Sequence, residues 1–192
     1  MTPPLTLRVF QEAARNVQSL CAEEYTTQVE KAIQVLCQAF KAGNKVLVFG
    51  NGGSSADAQH ICAELVGRFM KDRAALPAIA LSSNEAILTA WSNDHEFETA
   101  FSRQIEALGR PGDVAWGIST SGNSANIVAA LRAARTMGLR TVGLTGASAS
   151  KMTAWCEVLI ASPHTSTPRI QEAHVVTYHA ICEGVEDLLF RA

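Results

Sequence analysis

Residues 46–68 read Val-Leu-Val-Phe-Gly-Asn-Gly-Gly-Ser-Ser-Ala-Asp-Ala-Gln-His-Ile-Cys-Ala-Glu-Leu-Val-Gly-Arg, an apolar strand followed by a Gly/Ser turn and a helix. A strand that ends in small residues and opens a helix leaves free backbone N–H groups at the positive end of the helix dipole, which suits a phosphate. His60 and Glu64 lie four residues apart on that helix, so they point the same way. The stretch therefore predicts an anion cradle with two chemically capable side chains about two turns away.

The rest of the chain alternates short β-rich runs with helices. The predicted strands are residues 45–49, 77–81, 113–119, 139–145 and 156–162, and the predicted helices lie near 54–69, 84–108, 124–137, 151–155 and 169–190. This alternation is typical of the α/β class and predicts a five-stranded parallel sheet with helices on both faces. The flavodoxin-like order 2-1-3-4-5 is the leading choice, and it brings the loops after the first and third strands to one crevice.

Residues 1–43 precede the first strand and are helical in pattern, with apolar positions recurring at three and four. A break near residues 22–26 separates two helices, and Gly43-Asn44 ends the second. Two amphipathic helices are more than a lone α/β core needs, so we expect part of their apolar face to meet another subunit. The length indicates a single domain, residues 1–192, made of this helical arm and an α/β core over residues 44–192.

The composition argues against several classes of protein. With a net charge of −2 and no run of Lys or Arg, we expect no direct nucleic-acid partner. No apolar run approaches the roughly 18 to 20 residues of a membrane span, so no membrane partner is expected either. The five cysteines lack a Cys-x-x-Cys pair and follow no secretory segment, which predicts reduced core thiols in a cytoplasmic protein: Cys21, Cys37, Cys62, Cys156 and Cys182.

The loop after the third strand resembles the first loop in chemistry. It reads Ser119-Thr120-Ser121-Gly122-Asn123-Ser124, rich in hydroxyls and glycine. Since the topology brings both loops to one crevice, together they predict a site for a phosphorylated, hydroxylated ligand. We expect the hydroxyls of Ser121 and Ser124 and the N–H groups that open the next helix to contact the phosphate.

A nucleotide cofactor is not expected. The Gly-x-Gly-x-x-Gly fingerprint would need a glycine at position 55, where Ser55 stands, and the second strand ends in Ser82-Ser83 instead of the acid that binds a ribose. A phosphate loop of the Walker type is also absent, because no Gly-Lys-Ser/Thr follows the first strand.

Three other groups of side chains are candidates for the site. Taken alone, His60 and Glu64 are more typical of an ion pair on a solvated helix face than of a site, and their place just beyond the predicted phosphate cradle favours the site. Gln171 and His179 are eight residues apart, about 80° in helical angle, so both can border one site, whereas His174 points elsewhere. The pair Asn93-Asp94 either reaches the crevice or caps a helix.

Four blocks of residues, in this order, resemble the SIS (sugar isomerase) domain family and, within it, the phosphoheptose isomerases. The likeness extends over essentially the whole chain. The blocks are Gly50-Asn51-Gly52-Gly53-Ser54 running into Asp57-Ala58-Gln59-His60 and Glu64-Leu65-x-x-Arg68; Asn93-Asp94; Gly117-Ile118-Ser119-Thr120-Ser121-Gly122-Asn123-Ser124; and Arg169-Ile170-Gln171-Glu172 followed by His179. One departure is Pro168, where some members carry an acidic residue.

The resemblance implies an aldose–ketose isomerase that converts D-sedoheptulose 7-phosphate into D-glycero-D-manno-heptose 7-phosphate, the first step toward bacterial surface heptoses such as those of lipopolysaccharide. It implies a cytoplasmic homotetramer with sites at subunit interfaces and one zinc ion per subunit. The implied zinc ligands are His60, Glu64, Gln171 and His179. The implied substrate contacts are Asn51, Gly52, Gly53, Ser54, Glu64, Asn93, Asp94, Ser119, Thr120, Ser121, Ser124 and Gln171.

The chemistry assigns two roles within this set. Isomerisation removes a proton next to the carbonyl, forms an enediol and returns a proton to the neighbouring carbon, so a carboxylate can act as base and an imidazole as acid. We assign Glu64 as the base and His179 as the acid. The alternative is a non-catalytic SIS-domain protein that binds the bacterial replication initiator or senses a sugar phosphate, although such relatives lack the full set of His60, Glu64 and His179.

Overall fold

The computed structural model describes residues 3–191 and, within them, five strands in one parallel sheet. The strands are β1 Val46–Gly50, β2 Ala78–Ala80, β3 Val114–Ile118, β4 Arg140–Thr145 and β5 Val158–Ala161. Their order is β2-β1-β3-β4-β5, which confirms the order predicted from the sequence. Val46 of β1 lies opposite Ala78 on one side and Val114 on the other.

Seven α-helices lie within the same residues. They are α1 Leu5–Ser19, α2 Glu23–Lys41, α3 Gly53–Val66, α4 Glu85–Asp94, α5 Ala100–Leu108, α6 Ala125–Thr136 and α7 Thr167–Leu189. The predicted helix 84–108 is in fact interrupted at His95, which is extended, because residues 92–95, Ser-Asn-Asp-His, are all poor helix formers. The predicted helix at 151–155 is only a 3₁₀ turn, Lys151–Ala154.

The strand β1, which lies between β2 and β3, is buried on both faces of the sheet, as expected of a parallel strand between two helical layers. Successive side chains of a strand point to opposite faces. Val46 and Val48 accordingly join one apolar cluster with α2, α3 and α7. Leu47 and Phe49 join a second cluster with α5 and α6.

The helix α1 contacts the rest of the chain through polar groups. The amide of Asn16 donates to the backbone oxygen of Arg169 at 2.7 Å, and the Arg169 guanidinium donates to the backbone oxygen of Val9 at 3.2 Å. The apolar side chains of α1 remain uncovered, with Leu5 66% and Phe10 71% exposed. This helix therefore presents an apolar surface that the monomer does not use.

Two further features bear on the sequence predictions. All five cysteines are free, but Cys21 is exposed, so the expectation of a core position was wrong there, because Cys21 lies in the turn between α1 and α2. Pro168 stands in the first turn of α7, where its missing N–H leaves no hydrogen bond unmade. Within residues 3–191, no helix is both long and apolar enough to cross a membrane.

Candidate functional site

The loops after β1 and β3 meet, as the strand order predicts. Asn51 donates from its amide to Oδ1 of Asn126 at 2.9 Å, and the Asn126 amide donates back to Oδ1 of Asn51 at 2.9 Å. Asn51 belongs to the Gly/Ser turn, whereas Asn126 lies in the first turn of α6. This reciprocal pair fixes the separation of the two helix starts that border the crevice.

The hydroxyl-rich loop gathers three serines at the start of α6. The hydroxyl of Ser119 lies 2.9 Å from that of Ser124 and 3.4 Å from that of Ser121. Ser124 is the N-cap residue but makes no side-chain cap, because its hydroxyl is turned toward Ser119. Gly122 allows the tight turn with φ of 65°. The arrangement keeps hydroxyls and helix N–H groups on one side of the loop.

The glycine turn at the start of α3 is closely covered by α7. Gly52 is the N-cap residue and has φ of 54°. A Cβ atom at Gly53 would overlap the amide of Gln171, so only glycine fits at this position without a shift of that side chain. Ser54, a predicted substrate contact, is 4% exposed. The turn therefore offers backbone groups more than side chains to a ligand.

Three of the predicted metal ligands come together between α3 and α7. One ligand atom from each of His60, Glu64 and His179 lies within 4.8 Å of the other two. Nε2 of His60 is 3.0 Å from Oε1 of Glu64, and the side chains are 44% and 21% exposed. The rings of His60 and His179 meet edge to face, with centroids 5.1 Å apart. The site is thus open to a small molecule.

Helices α3 and α7 run side by side in the same direction. Gly53 contacts Gln171 near the beginning of both helices, and His60 contacts His179 farther along. The separation of eight residues from Gln171 to His179 corresponds to about 12 Å along the helix axis. Gln171 therefore lies at the loop end of this helix pair, and the cluster of His60, Glu64 and His179 lies beyond it.

Tyr178 orients His60 and was not found by sequence reasoning. Its hydroxyl lies 2.9 Å from Nδ1 of His60. Burial raises the pKa of Tyr178, and the nearby Asp57 raises it further. Burial also raises the pKa of Asp57, to about 6, against the opposing influence of His60 and Tyr178. Only their positions in the sequence could have pointed to these two residues, because Asp57 precedes His60 by one helical turn and Tyr178 adjoins His179.

The two histidines of α7 occupy different environments. Burial lowers the pKa of His179, the neighbouring His60 lowers it further, and Glu64 opposes the shift. A neutral His179 can bind a metal or donate its single N–H. His174 is fully buried and lies 3.2 Å from the backbone oxygen of Thr145, outside the cluster, as its helical angle indicated.

Asn93 and Asp94 are the last two residues of α4 and are exposed. The Asn93 amide donates to Oδ1 of Asp94 at 2.9 Å. The helix-cap interpretation is wrong for this pair, because the N-cap of α4 is Asn84, which accepts from the Ile87 N–H. Within residues 3–191, no hydrogen bond links the pair to the other predicted site residues.

The donor set of the cluster suits a zinc ion. Zinc in proteins is bound by imidazole nitrogens and carboxylate oxygens at about 2.0 to 2.2 Å, usually with four ligands. The three ligand atoms lie within 4.8 Å of one another, near enough to be shared by one ion. Binding through Nε2 of His60 places the ring proton on Nδ1, where the Tyr178 oxygen can accept it. A glutamine amide is a weaker fourth ligand for zinc than these three.

Known proteins of one family resemble this chain over most of its length. The family model for the SIS domain matches residues 9–146. A phosphoheptose isomerase of Crocosphaera subtropica is 53% identical over 167 residues, which cover 87% of this chain and 85% of that protein.

Two solved structures have the same fold. The phosphoheptose isomerase of Neisseria gonorrhoeae superposes with a TM-score of 0.85 at 41% identity, covering 96% of this chain and all of that one. The phosphoheptose isomerase of Francisella tularensis superposes with a TM-score of 0.90 at 30% identity, covering 97% of this chain and all of that one. The likeness thus includes both the α/β core and the N-terminal helices.

Proposed function

The chain belongs to the phosphoheptose isomerases of the SIS domain family, which makes it an aldose–ketose isomerase, and we propose that its substrate is D-sedoheptulose 7-phosphate. The product is then D-glycero-D-manno-heptose 7-phosphate, for bacterial heptose biosynthesis. The observation that carries the proposal is the cluster of His60, Glu64 and His179, which lies beyond a crevice built from two loops of phosphate-binding character. A non-catalytic SIS protein has no need of this cluster.

The two loops hold the phosphate end of the sugar. The hydroxyls of Ser121 and Ser124 and the N–H groups at the start of α6 face the anion, and the reciprocal amide pair of Asn51 and Asn126 keeps the loops at a fixed separation. The other loop residues predicted to contact substrate extend this surface: Gly52, Gly53, Ser54, Ser119 and Thr120. An anchored phosphate aligns the distant carbon with the catalytic groups and removes much of the entropy of positioning.

Glu64 and His179 carry the proton transfers. Glu64 takes a proton from C1 of the ketose, the C1–C2 enediol forms, and a proton is delivered to C2 as the aldehyde forms at C1. His179 donates its N–H to the sugar oxygen on which negative charge develops. Burial lowers the pKa of His179, ahead of the effect of His60, so it serves as a neutral donor. Each of these groups contributes about 10²- to 10⁴-fold to the rate.

A zinc ion would be held by His60, Glu64 and His179. Gln171, the weak fourth ligand implied by the family resemblance, would have to reach this cluster from about two turns nearer the loops. When bound, zinc supplies a Lewis acid that polarises the sugar carbonyl. Glu64 and His179 would need to be free of the metal at the atoms that exchange protons.

The quaternary structure is a homotetramer built through residues 1–43. The exposed apolar residues of α1, among them Leu5 and Phe10, support this because a monomer leaves them in water. Sites at subunit interfaces also explain why Asn93 and Asp94 are exposed and separate from the crevice of their own chain. Five unpaired cysteines support a cytoplasmic location.

The proposal is tested by incubating the purified protein with sedoheptulose 7-phosphate and following the aldose by NMR. We expect turnover that is lost on treatment with a chelator and restored by added zinc. If elemental analysis finds no metal and turnover persists, zinc is not needed for the reaction, but the assignment as an isomerase stands. No turnover, together with tight binding to the replication initiator, would establish the non-catalytic alternative.

A further inference from the structure

A buried ion pair lies beside the catalytic cluster and has no role in the chemistry above. Nε of Arg73 donates to Oε1 of Glu186 at 2.9 Å, and the two side chains are only 2% and 1% exposed. Glu186 follows His179 by seven residues, two turns farther along α7. Arg73 belongs to the segment that leaves α3. The pair therefore joins the end of α3 to α7 just beyond the cluster.

The carboxylate of Glu186 organises the segment after α3. It accepts hydrogen bonds from the backbone N–H groups of Phe69 at 2.9 Å, Met70 at 2.8 Å and Lys71 at 2.9 Å. Burial acts to raise the pKa of Glu186, but these N–H groups and Arg73 outweigh it, so the pKa is lowered. A carboxylate with four donors in this arrangement fixes three consecutive residues against α7.

Arg73 closes the C-terminal end of α3. Its guanidinium donates to the backbone oxygen of Glu64 at 2.7 Å and to that of Leu65 at 2.7 Å. These carbonyls belong to the last turn of a helix that ends at Val66, where they have no partner within the helix. The same side chain that binds Glu186 therefore also holds the turn from which the Glu64 carboxylate projects.

The segment held by the pair also touches the other catalytic residue. The ring of Phe69 packs on the ring of His179, with centroids 5.4 Å apart. Arg73 and Glu186 thus act on Glu64 from one side and on His179 from the other. A buried ion pair rarely adds net stability over apolar side chains of similar size, although loss of one partner is strongly destabilising. Stability alone is therefore a weak reason for an ion pair at this place.

We propose that Arg73 and Glu186 are positioning residues that hold Glu64 and His179 at the mutual distance needed for metal binding and proton transfer. The inference rests on the function proposed for the cluster. Neither side chain contacts the crevice of the phosphate loops through the hydrogen bonds described here, so their influence on binding of the phosphate end should be small.

The test uses Arg73→Lys, which keeps the charge but loses the planar fork that joins Glu186 to the α3 carbonyls. We expect zinc affinity to fall about 10- to 100-fold, as for other groups that orient metal ligands. Zinc affinity is measured by competition with a chromophoric chelator, independently of turnover. In zinc-saturated protein, kcat should fall at least tenfold, whereas KM for sedoheptulose 7-phosphate should stay within about twofold.

A matched control is Asp113→Asn. Asp113 is also a buried carboxylate in an ion pair, with Lys45 at 2.5 Å, and accepts from the backbone N–H groups of Lys45 and Arg110. It immediately precedes β3, and its hydrogen-bond partners, Lys45 and Arg110, lie outside α3 and α7. Its replacement should lower the melting temperature but leave zinc affinity and kcat unchanged.

A second variant, Glu186→Gln, replaces one carboxylate oxygen by an N–H donor that faces the backbone donors. It should reproduce the loss of zinc affinity. The double variant Arg73→Lys/Glu186→Gln should lose less free energy of zinc binding than the sum of the two single losses, because both residues act through one network. Parent zinc affinity and parent kcat in both variants, with only a lower melting temperature, would overturn the inference. Absence of turnover in the parent would instead refute the proposed function, while the zinc comparison would still test the positioning role.

Discussion

The Glu64→Gln variant should isomerise sedoheptulose 7-phosphate about 10²- to 10⁴-fold more slowly than the parent. The amide has nearly the shape of the carboxylate but cannot take up the proton from C1. It also removes the negative charge that lies 3.0 Å from the His60 imidazole, which weakens metal binding. Steady-state kcat is measured after saturation with zinc, so that the loss of the base is separated from the loss of the metal.

The fold of this variant should be preserved. The backbone oxygen of Glu64 still receives the Arg73 guanidinium, and the side chain is not part of the apolar core. A matched control is Glu30→Gln, which makes the same chemical change at an exposed position of α2 and should leave kcat unaltered. Turnover of Glu64→Gln at the parent rate would show that another group is the base.

Replacement of His179 by glutamine should lower kcat by about 10²- to 10⁴-fold. This change removes both the imidazole donor and one of the three strong metal ligands of the cluster. The ring also packs against His60 and Phe69, so zinc affinity should decrease together with the rate. Kinetics across a series of zinc concentrations separate the two contributions.

If added zinc fully restored the rate of His179→Gln, the residue would be only a ligand and the assignment as acid would be wrong. We expect a large deficit to remain at saturation. KM for the sugar phosphate should change little, because the phosphate end is held by the loops at the other end of α3 and α7. Circular dichroism and the melting temperature verify that the fold is retained.

The architecture was largely predictable because its signals are local. Apolar β-rich runs alternate with amphipathic stretches, and the strand order follows from this alternation together with the general rules of parallel sheets. The interruption at His95 was missed because weak helix formers lower helix stability without forbidding a helix. The exposure of Cys21 was missed because a cysteine residue does not by itself distinguish a helix from the turn between two helices.

The site was predictable only in part. His60 and Glu64 are marked by their spacing on one helix, and the likeness to a known family pointed to His179 on another. The groups that orient them gave no such signal. Arg73 and Glu186 are 113 residues apart, and their meeting depends on how α3 packs on α7, which the spacing of residues in the sequence does not encode.

The central claim is that Glu64 transfers a proton between C1 and C2 of a heptose phosphate. It is tested most directly by NMR of the reaction in D₂O. Because Glu64 is 21% exposed, its proton exchanges with solvent, and we predict that the aldose formed by the parent carries deuterium at C2, with no labelled product from Glu64→Gln. Formation of C2-deuterated aldose by Glu64→Gln at the parent rate would contradict the account, because another group would then carry the proton.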